Sequence, residues 1–203
     1  MPSTLVTVWF DYACPHSYIA LVRLEELAST IDIRIDRRPY LTRSESLDDW
    51  DSGRAHPLSG SDYAEGAGSG RRQPLYKPGE SLGTEPASNR SASTLSVHAA
   101  TAFAKERGLD GQFFRAASKE YWEQGVDLGS LYTLRRLSGS VGLDWADLWP
   151  NLESRRYHDL VLGQHEEAKG AGVARTPAFR IDGALHSGGM GFEELSAAIQ
   201  KAV

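Results

Sequence analysis

The feature that most constrains the fold is an apolar strand that leads directly into Cys14-Pro15 and an amphipathic helix. Residues 4–10 alternate and then run apolar, which is typical of a strand at the centre of a sheet. Pro15 suits the first turn of a helix, where a missing N–H costs nothing, and apolar residues recur at helical spacing up to Ala28. A second strand, with isoleucines on one face, follows at 31–36. Strand, helix and strand in this order predict a right-handed βαβ unit.

The composition excludes several classes of function. The chain of 203 residues has one cysteine, so no intramolecular disulfide can form and a cysteine-based metal site is not expected. Its net charge of −5 argues against a nucleic-acid partner, because affinity for phosphates depends on clustered lysine and arginine. No apolar run approaches the ~20 residues that span a bilayer, and the N-terminus lacks the basic segment of a signal peptide. We therefore expect a cytoplasmic protein with no metal and no membrane contact.

The middle of the sequence divides into two parts. Residues 39–92 contain several prolines and a stretch rich in glycine and serine, without periodicity, and they predict a long loop or cover. Residues 93–171 carry successive apolar stripes at helical spacing, each followed by a glycine, and they predict helices. The second of these helices is predicted to end at Gly125. The capping residue Asp144 predicts only a short turn at 144–147.

The chain returns to strands near its end. Residues 177–181 and 184–186 flank Asp182-Gly183, which is a strong hairpin signal, and an amphipathic helix follows. The order βαβ, helices, ββα is the thioredoxin arrangement with helices inserted in its middle. We therefore predict an α/β thioredoxin fold in three parts: a thioredoxin-like domain of residues 1–38 and 172–203, a cover of residues 39–92 and a helical insertion of residues 93–171.

Several segments resemble those of a known family. Residues 10–19 (FDYACPHSYI) resemble the active-site segment of DsbA-like thioredoxin-fold oxidoreductases, especially their FrnE-like branch. Residues 172–179 are similar to the family's cis-proline strand, and residues 121–125 match its helical region. The 2-hydroxychromene-2-carboxylate isomerases and the kappa-class glutathione transferases share this scaffold. The chain departs from the redox members where Ser17 replaces their second cysteine, and from the glutathione-using relatives because Cys14 stands where they typically have serine.

The residues at the start of the predicted helix suit thiol chemistry. The thiolate is the reactive form of cysteine, and a helix N-terminus favours it through unpaired N–H groups and a partial positive charge. We predict that Cys14 is the nucleophile and that His16, when protonated, adds to this stabilisation. Ser17 lies three residues on, on the same helix face, where its hydroxyl can donate a hydrogen bond to the sulfur. The alternatives are an exposed His16 without effect and a Ser17 that only caps the helix.

The resemblance implies a second half of the site. In the family, the bond that corresponds to Thr176–Pro177 is cis and faces the cysteine, and the backbone before the proline pairs with an extended peptide or glutathione. The predicted substrate- or glutathione-binding residues are Thr176, Pro177, Pro15 and Asn89, which lies just ahead of the helical block, where substrates of the family pass. Tyr12 is included as a residue at the mouth of the site, and the alternative for it is a place in the core. Four further histidines lack metal-ligand spacing and are predicted to be structural or on the surface: His98, His158, His165 and His186.

Three functions fit these residues. The leading one is a DsbA/FrnE-like thiol-disulfide oxidoreductase that uses Cys14 alone, with glutathione as co-substrate, because Ser17 cannot form a disulfide and an external thiol must resolve the intermediate. The second is a glutathione-dependent isomerase or transferase for a small aromatic substrate held under the cover. The third is a non-catalytic protein that binds extended peptides or glutathione. The resemblance also allows a homodimer.

Overall fold

The computed structural model describes residues 3–43, 93–124, 126–188 and 190–203. Its strands are β1 (Thr4–Phe10), β2 (Ile33–Pro39), β3 (Ala178–Ile181) and β4 (Ala184–Ser187). They form one four-stranded sheet in the order β2-β1-β3-β4, with β1 and β2 parallel and β3 antiparallel to both of its neighbours. β1 therefore lies inside the sheet, which confirms the prediction from its apolar run.

Helices connect the two halves of this sheet. The described residues contain seven α-helices: α1 (Pro15–Ala28), α2 (Leu95–Lys105), α3 (Asp110–Lys119), α4 (Leu131–Ser140), α5 (Trp145–Glu153), α6 (Arg156–Gly170) and α7 (Phe192–Ala202). None of them combines the length and the apolar character needed to cross a membrane. The element order and the sheet are those of a thioredoxin-like α/β fold with helices between its halves, as predicted. The division into three parts stays a prediction, and residues 44–92 lie outside the described residues.

Two boundaries differ from the prediction. β2 starts at Ile33 and not at residue 31, because the N–H of Ile31 bonds to the carbonyl of Leu27 at 2.8 Å and holds this residue in the turn that follows α1. α3 ends at Lys119, where a π-helical turn over Glu120–Gln124 takes over, so the regular α-helix does not continue toward Gly125.

Helix α5 replaces the short turn predicted after Asp144. The carboxylate of Asp144 does cap it, since it accepts the N–H of Ala146 at 2.8 Å. The helix then runs for nine residues even though it contains Pro150, which cannot donate a backbone hydrogen bond. Leu148 and Leu152 lie one turn apart and are fully buried, so their packing holds this helix against the core.

The two faces of β1 contact different layers. Val6, Val8 and Phe10 are buried on one face and belong to the main core, together with α1, α7 and the helices between β2 and β3. Trp9 lies on the opposite face, where it packs with Ala168 of α6. This division follows from the period-two alternation of side chains along a strand. Because both faces are covered, a ligand can approach the sheet at the ends of its strands.

Arg37 ties β2 to two helices. Its guanidinium lies 2.7 Å from the carboxylate of Glu25 in α1 and 3.2 Å from that of Asp110 in α3, and its side chain is 9% exposed. Arg115 contacts the other oxygen of Glu25 at 3.0 Å. Removing one partner of a buried ion pair destabilises a fold, because the remaining charge is left buried without compensation. The network anchors α1, whose first turn carries the candidate site.

Candidate functional site

The site lies where three chain segments meet at one edge of the sheet. β1 and β2 are parallel, so residues 11–14 and 40–43, which follow them, leave the sheet at the same edge. β3 is antiparallel to β1, so residues 174–177, which precede it, arrive at this edge as well. The sheet topology therefore brings the cysteine loop close to the segment before β3.

Cys14 occupies the N-cap of α1. Its backbone is extended (φ −99°, ψ 112°), Pro15 follows in the first turn, and its carbonyl accepts the N–H of Ser17 at 3.0 Å. The side chain is partly exposed, and its Sγ–H donates to the carbonyl oxygen of Thr176 at 3.5 Å. The first turn of α1 contains no acidic residue, so its own side chains do not oppose the positive end of the helix dipole. The sulfur therefore lies at the positive end of this helix.

The peptide bond between Thr176 and Pro177 is cis. Pro177 is buried, and its carbonyl accepts the N–H of Gly188 across the hairpin at 2.9 Å. Thr176 is partly exposed and lines a cleft together with Cys14. The Oγ1 atom of Thr176 is buried and has no hydrogen-bond partner among the described residues. The backbone of Thr176, through its carbonyl, is therefore the part that meets the sulfur.

The residues around the cysteine have different environments. Pro15 and His16 line the same cleft as Cys14. Ser17 is fully buried, and its Oγ accepts the backbone N–H of Asp11 at 3.3 Å. The sulfur hydrogen bond in this structure goes to a backbone carbonyl, so donation from Ser17 to the sulfur stays a prediction.

Tyr12, expected at the mouth of the site, is placed inside the core. Its ring is 1% exposed, and its hydroxyl shares a hydrogen bond of 2.7 Å with Thr101. Burial raises the pKa of Tyr12. Although Tyr12 follows the end of β1, the turn directs its ring into the main core, where it packs against Phe10 and Phe114 with ring centroids 5.3 and 5.5 Å away. Asn89, the other residue predicted near the substrate, lies outside the described residues.

Asp11 organises the loop that carries Cys14. One carboxylate oxygen accepts the N–H of Ala13 at 3.3 Å, and the other accepts the N–H and the hydroxyl of Thr42 at 2.7 and 2.5 Å. The backbone carbonyl of Asp11 accepts the N–H of Cys14 at 3.1 Å. Because Thr42 lines the cleft, this one residue joins the cysteine loop to a second wall of the site.

The carboxylate of Asp11 is charged although it is 1% exposed. Burial raises its pKa, but His98 and the donors of Thr42 outweigh burial and lower the pKa to about 2. The Nε2 atom of His98 lies 3.4 Å from Asp11 Oδ1. The His98 ring is itself buried against Phe10 and Tyr12, with ring centroids 4.9 and 5.0 Å away. Beneath the cysteine loop there is thus a fixed, buried anion.

His165 faces the cleft from α6. Its Nδ1 accepts the N–H of Leu41 at 3.2 Å, and its ring meets that of Tyr40 edge to face, with centroids 4.7 Å apart. Burial lowers the pKa of His165 from 6.5, so the ring is neutral at neutral pH. Since Nδ1 accepts a hydrogen bond, the proton of the neutral ring is on Nε2. His165 is therefore a neutral cleft residue with its proton on Nε2.

The cleft beside Cys14 has a volume of about 860 Å³, which is in the range of small-molecule sites. Its lining comes from four places in the chain: residues 13–16 at the start of α1, residues 40–43 after β2, one face of α6 and residues 174–176 before β3. Tyr40, Leu41 and Leu162 form an apolar part, and the rest is mostly polar or charged. No group of three or more His, Cys, Asp or Glu side chains in the described residues is placed to hold a metal ion.

The sequence did not single out several polar residues in or behind the cleft, among them Asp11, Lys169 and Arg175, and it predicted only structural or surface positions for His98 and His165. Asp11 had a local signal, because a short acidic side chain before a helix often accepts backbone N–H groups two residues on. The spacing of His165 and Lys169 also places them on one face of α6. No pattern in the sequence connects that face to Cys14.

Comparisons with known proteins give one family and a set of similar folds. The family model for the DSBA-like thioredoxin domain matches residues 72–200, which include Thr176 and Pro177 but not Cys14. A probable DsbA oxidoreductase from Streptomyces coelicolor aligns with a TM-score of 0.68 and 20% identity over 98% of this chain and 90% of its own. A 2-hydroxychromene-2-carboxylate isomerase aligns with a TM-score of 0.66 and 17% identity over 97% and 95%. The cytosolic disulfide reductase DsbM from Pseudomonas aeruginosa, solved with GSH, aligns with a TM-score of 0.62 and 12% identity over 90% and 88%.

Proposed function

Because this chain belongs to the DSBA-like thioredoxin domain family, we propose that it is a thiol-disulfide oxidoreductase that works through Cys14 alone and uses glutathione as the external thiol. The observation that carries the proposal is the position of Sγ. It is partly exposed at the N-cap of α1, lies 3.5 Å from the carbonyl of Thr176 and lines the cleft. An accessible cysteine at a helix N-terminus is an arrangement that activates thiols.

The proposed reaction has three exchange steps. The Cys14 thiolate attacks one sulfur of a disulfide R–S–S–R′, so that a bond forms between Sγ and R–S while R′–S⁻ leaves with the electron pair and takes a proton from water. A glutathione thiolate then attacks the R–S sulfur, which returns Sγ as a thiolate and forms glutathione–S–S–R. A second glutathione releases R–SH and leaves glutathione disulfide. Two glutathione molecules thus supply the two electrons.

The residue one turn after Cys14 supports the need for an external thiol. Ser17 has a hydroxyl where a second thiol would act, and a hydroxyl cannot form a disulfide with Sγ. The neighbouring carbonyl of Thr176 supports an extended ligand, since it can accept a backbone N–H from a peptide whose sulfur lies at Cys14. A cleft of about 860 Å³ has room for a tripeptide such as glutathione.

The proposal includes a cytoplasmic site of action. A route that consumes glutathione needs a reducing thiol pool, which that compartment provides. The fold shared with DsbM, named as cytosolic and solved with GSH, is compatible with this assignment. A homodimer stays a prediction.

The test uses a peptide that carries glutathione in a mixed disulfide. With glutathione, glutathione reductase and NADPH present, NADPH consumption reports turnover. We expect turnover with the native chain and none with Cys14→Ser. Ser29→Ala, an exposed position at the other end of α1, is the control and should keep the native rate. Equal rates for the native chain and Cys14→Ser would refute the proposal.

A glutathione-dependent isomerase or transferase is the second candidate. The apolar part of the cleft, formed by Tyr40, Leu41 and Leu162, favours it because an aromatic substrate could pack there beside glutathione. The deciding assay gives 2-hydroxychromene-2-carboxylate or an aromatic electrophile, with glutathione, to the same variants. If Cys14→Ser stays active on these compounds, the chemistry does not need the protein's sulfur and the second candidate replaces the first. Glutathione binding without any turnover would indicate a binding protein.

A further inference from the structure

The charge of the cleft is opposite to that of the chain. The described lining carries three cationic side chains, Arg43, Lys169 and Arg175, and one anionic side chain, Glu166. The chain as a whole has a net charge of −5. A concave wall of one sign concentrates ligands of the other sign and speeds their association. The cleft is thus an attractive place for anions on a protein that otherwise repels them.

We propose that Arg43, Lys169 and Arg175 form a cationic wall of the cleft, and that this wall binds the carboxylates of the thiol or disulfide ligand while Cys14 reacts with the sulfur of that ligand. The site then selects small acidic thiols and disulfides, of which glutathione is one, over neutral ones of similar size. This inference rests on the proposed function, because it names the substrate class for the same site.

Arg175 is the best placed of the three cations. It directly precedes Thr176, whose carbonyl lies 3.5 Å from Sγ, and its side chain is exposed. It forms no ion pair with any acid in the described parts of the chain. A Cβ atom added to Gly188 would lie 3.6 Å from Arg175 Cδ, so the aliphatic stem rests beside this glycine. The planar guanidinium can bind a carboxylate through two parallel hydrogen bonds.

Two residues of α6 complete the wall. Lys169 contacts both carboxylate oxygens of Glu166, at 2.9 and 3.0 Å, so the acidic side chain of the lining is already neutralised. His165 lies one turn before Lys169 and lines the same cleft as a neutral ring, so it adds no negative charge to the wall. The carboxylate of Asp11 is buried behind the cysteine loop, is held there by its own hydrogen-bond donors and is not part of the lining. The wall therefore keeps an excess of positive charge.

The test measures how fast Cys14 forms a mixed disulfide with 3,3′-dithiodipropionate, which has two carboxylates, and with the neutral 2-hydroxyethyl disulfide. Because the chain has one cysteine, the mass of the adduct reports each reaction. Arg175→Gln should slow the anionic reagent about two- to fivefold, the range expected for one exposed charge pair, and leave the neutral reagent at its native rate. Lys169→Gln should add to the loss. Raising the salt to about 0.5 M should reduce the native preference.

Arg34→Gln is the matched control. Arg34 is an exposed cation on β2 that does not line the cleft, so its loss changes the net charge by the same amount. We expect it to leave both rates at the native value. Equal effects of Arg34→Gln and Arg175→Gln would show that only net charge matters, and equal slowing of both reagents would show a general disturbance of the site. Either result overturns the proposal.

Alkylation separates this inference from the proposed function, because it requires no disulfide chemistry. Iodoacetate carries a carboxylate and iodoacetamide does not, so their relative rates at Cys14 report the wall alone. If disulfides do not react but the relative rate of iodoacetate depends on Arg175, the wall is supported and the oxidoreductase function fails. If disulfides exchange without any dependence on Arg175, the function is supported and the wall fails.

Discussion

Replacing Asp11 by asparagine should destabilise the fold strongly at neutral pH and much less in acid. In the folded chain the carboxylate accepts hydrogen bonds from Ala13 and Thr42 and lies 3.4 Å from His98. Burial raises its pKa, but these partners lower it from 3.8 to about 2. Asparagine keeps the shape of the side chain, but it has no charge and its amide nitrogen cannot accept a hydrogen bond.

The two pKa values set the size of the effect. The difference between 3.8 in the unfolded chain and about 2 in the folded chain corresponds to about 2 kcal/mol of folding free energy. Because the folded value is the lower one, the unfolded chain takes up the proton first as the pH falls. The contribution is therefore complete above about pH 4 and is lost between about pH 4 and pH 2. Asp11→Asn lacks this contribution at every pH.

Urea unfolding followed by far-UV circular dichroism at several pH values between 6 and 2.5 measures both free energies. The gap between the native chain and Asp11→Asn should be about 2 kcal/mol at pH 6 and shrink as the pH approaches 2. Asp32→Asn, an exposed aspartate before β2, controls for the loss of one surface carboxylate. A gap that stays constant over this range would refute the reasoning, because Asp11 would then not be an anion held by its donors.

Three other substitutions test separate parts of the structure. Arg37→Ala leaves Glu25 and Asp110 without their shared cation and should cost about 3 kcal/mol in urea unfolding, whereas loss of a surface pair costs below about 1 kcal/mol. His158 is fully buried, and burial lowers its pKa from 6.5 to about 4. As the pH falls from 6.5 to 4, the unfolded chain therefore binds a proton that the folded chain does not, which should remove up to about 3 kcal/mol of stability. In His158→Gln, the free energy of unfolding should depend less on pH over that range. Ser17→Cys should allow a disulfide with Cys14, detected as a loss of two hydrogens by mass, and should release bound glutathione without added thiol.

Much of the fold can be predicted from the sequence because it depends on local patterns. The apolar run at 4–10, the glycines after the helices and the turn at Asp182-Gly183 each act over a few residues, and β1, the helical block and the β3–β4 hairpin lie where these signals predict. Predictions failed where packing decided the outcome. A backbone hydrogen bond holds Ile31 in the turn after α1, and α5 forms around Pro150 because its leucines are buried.

The site was harder to predict because its partners are far apart in the chain. The position of Cys14 at a helix start follows from the residues next to it. By contrast, Asp11 meets Thr42 at a separation of 31 residues, and Leu41 meets His165 at a separation of 124. The order and direction of the strands, together with the position of α6, bring these groups together. A pattern within one segment carries no information about such contacts.

In the proposed reaction, the serine one turn after Cys14 also decides how long a captured partner stays attached. Where two thiols share an active site, the second expels the partner from within the molecule. Here a hydroxyl occupies that place, so under the proposed mechanism a covalently linked partner departs only when a small thiol diffuses in from solution. In cells depleted of small thiols, the chain should therefore accumulate as mixed disulfides that each carry one partner on Cys14, detected by mass without reductant.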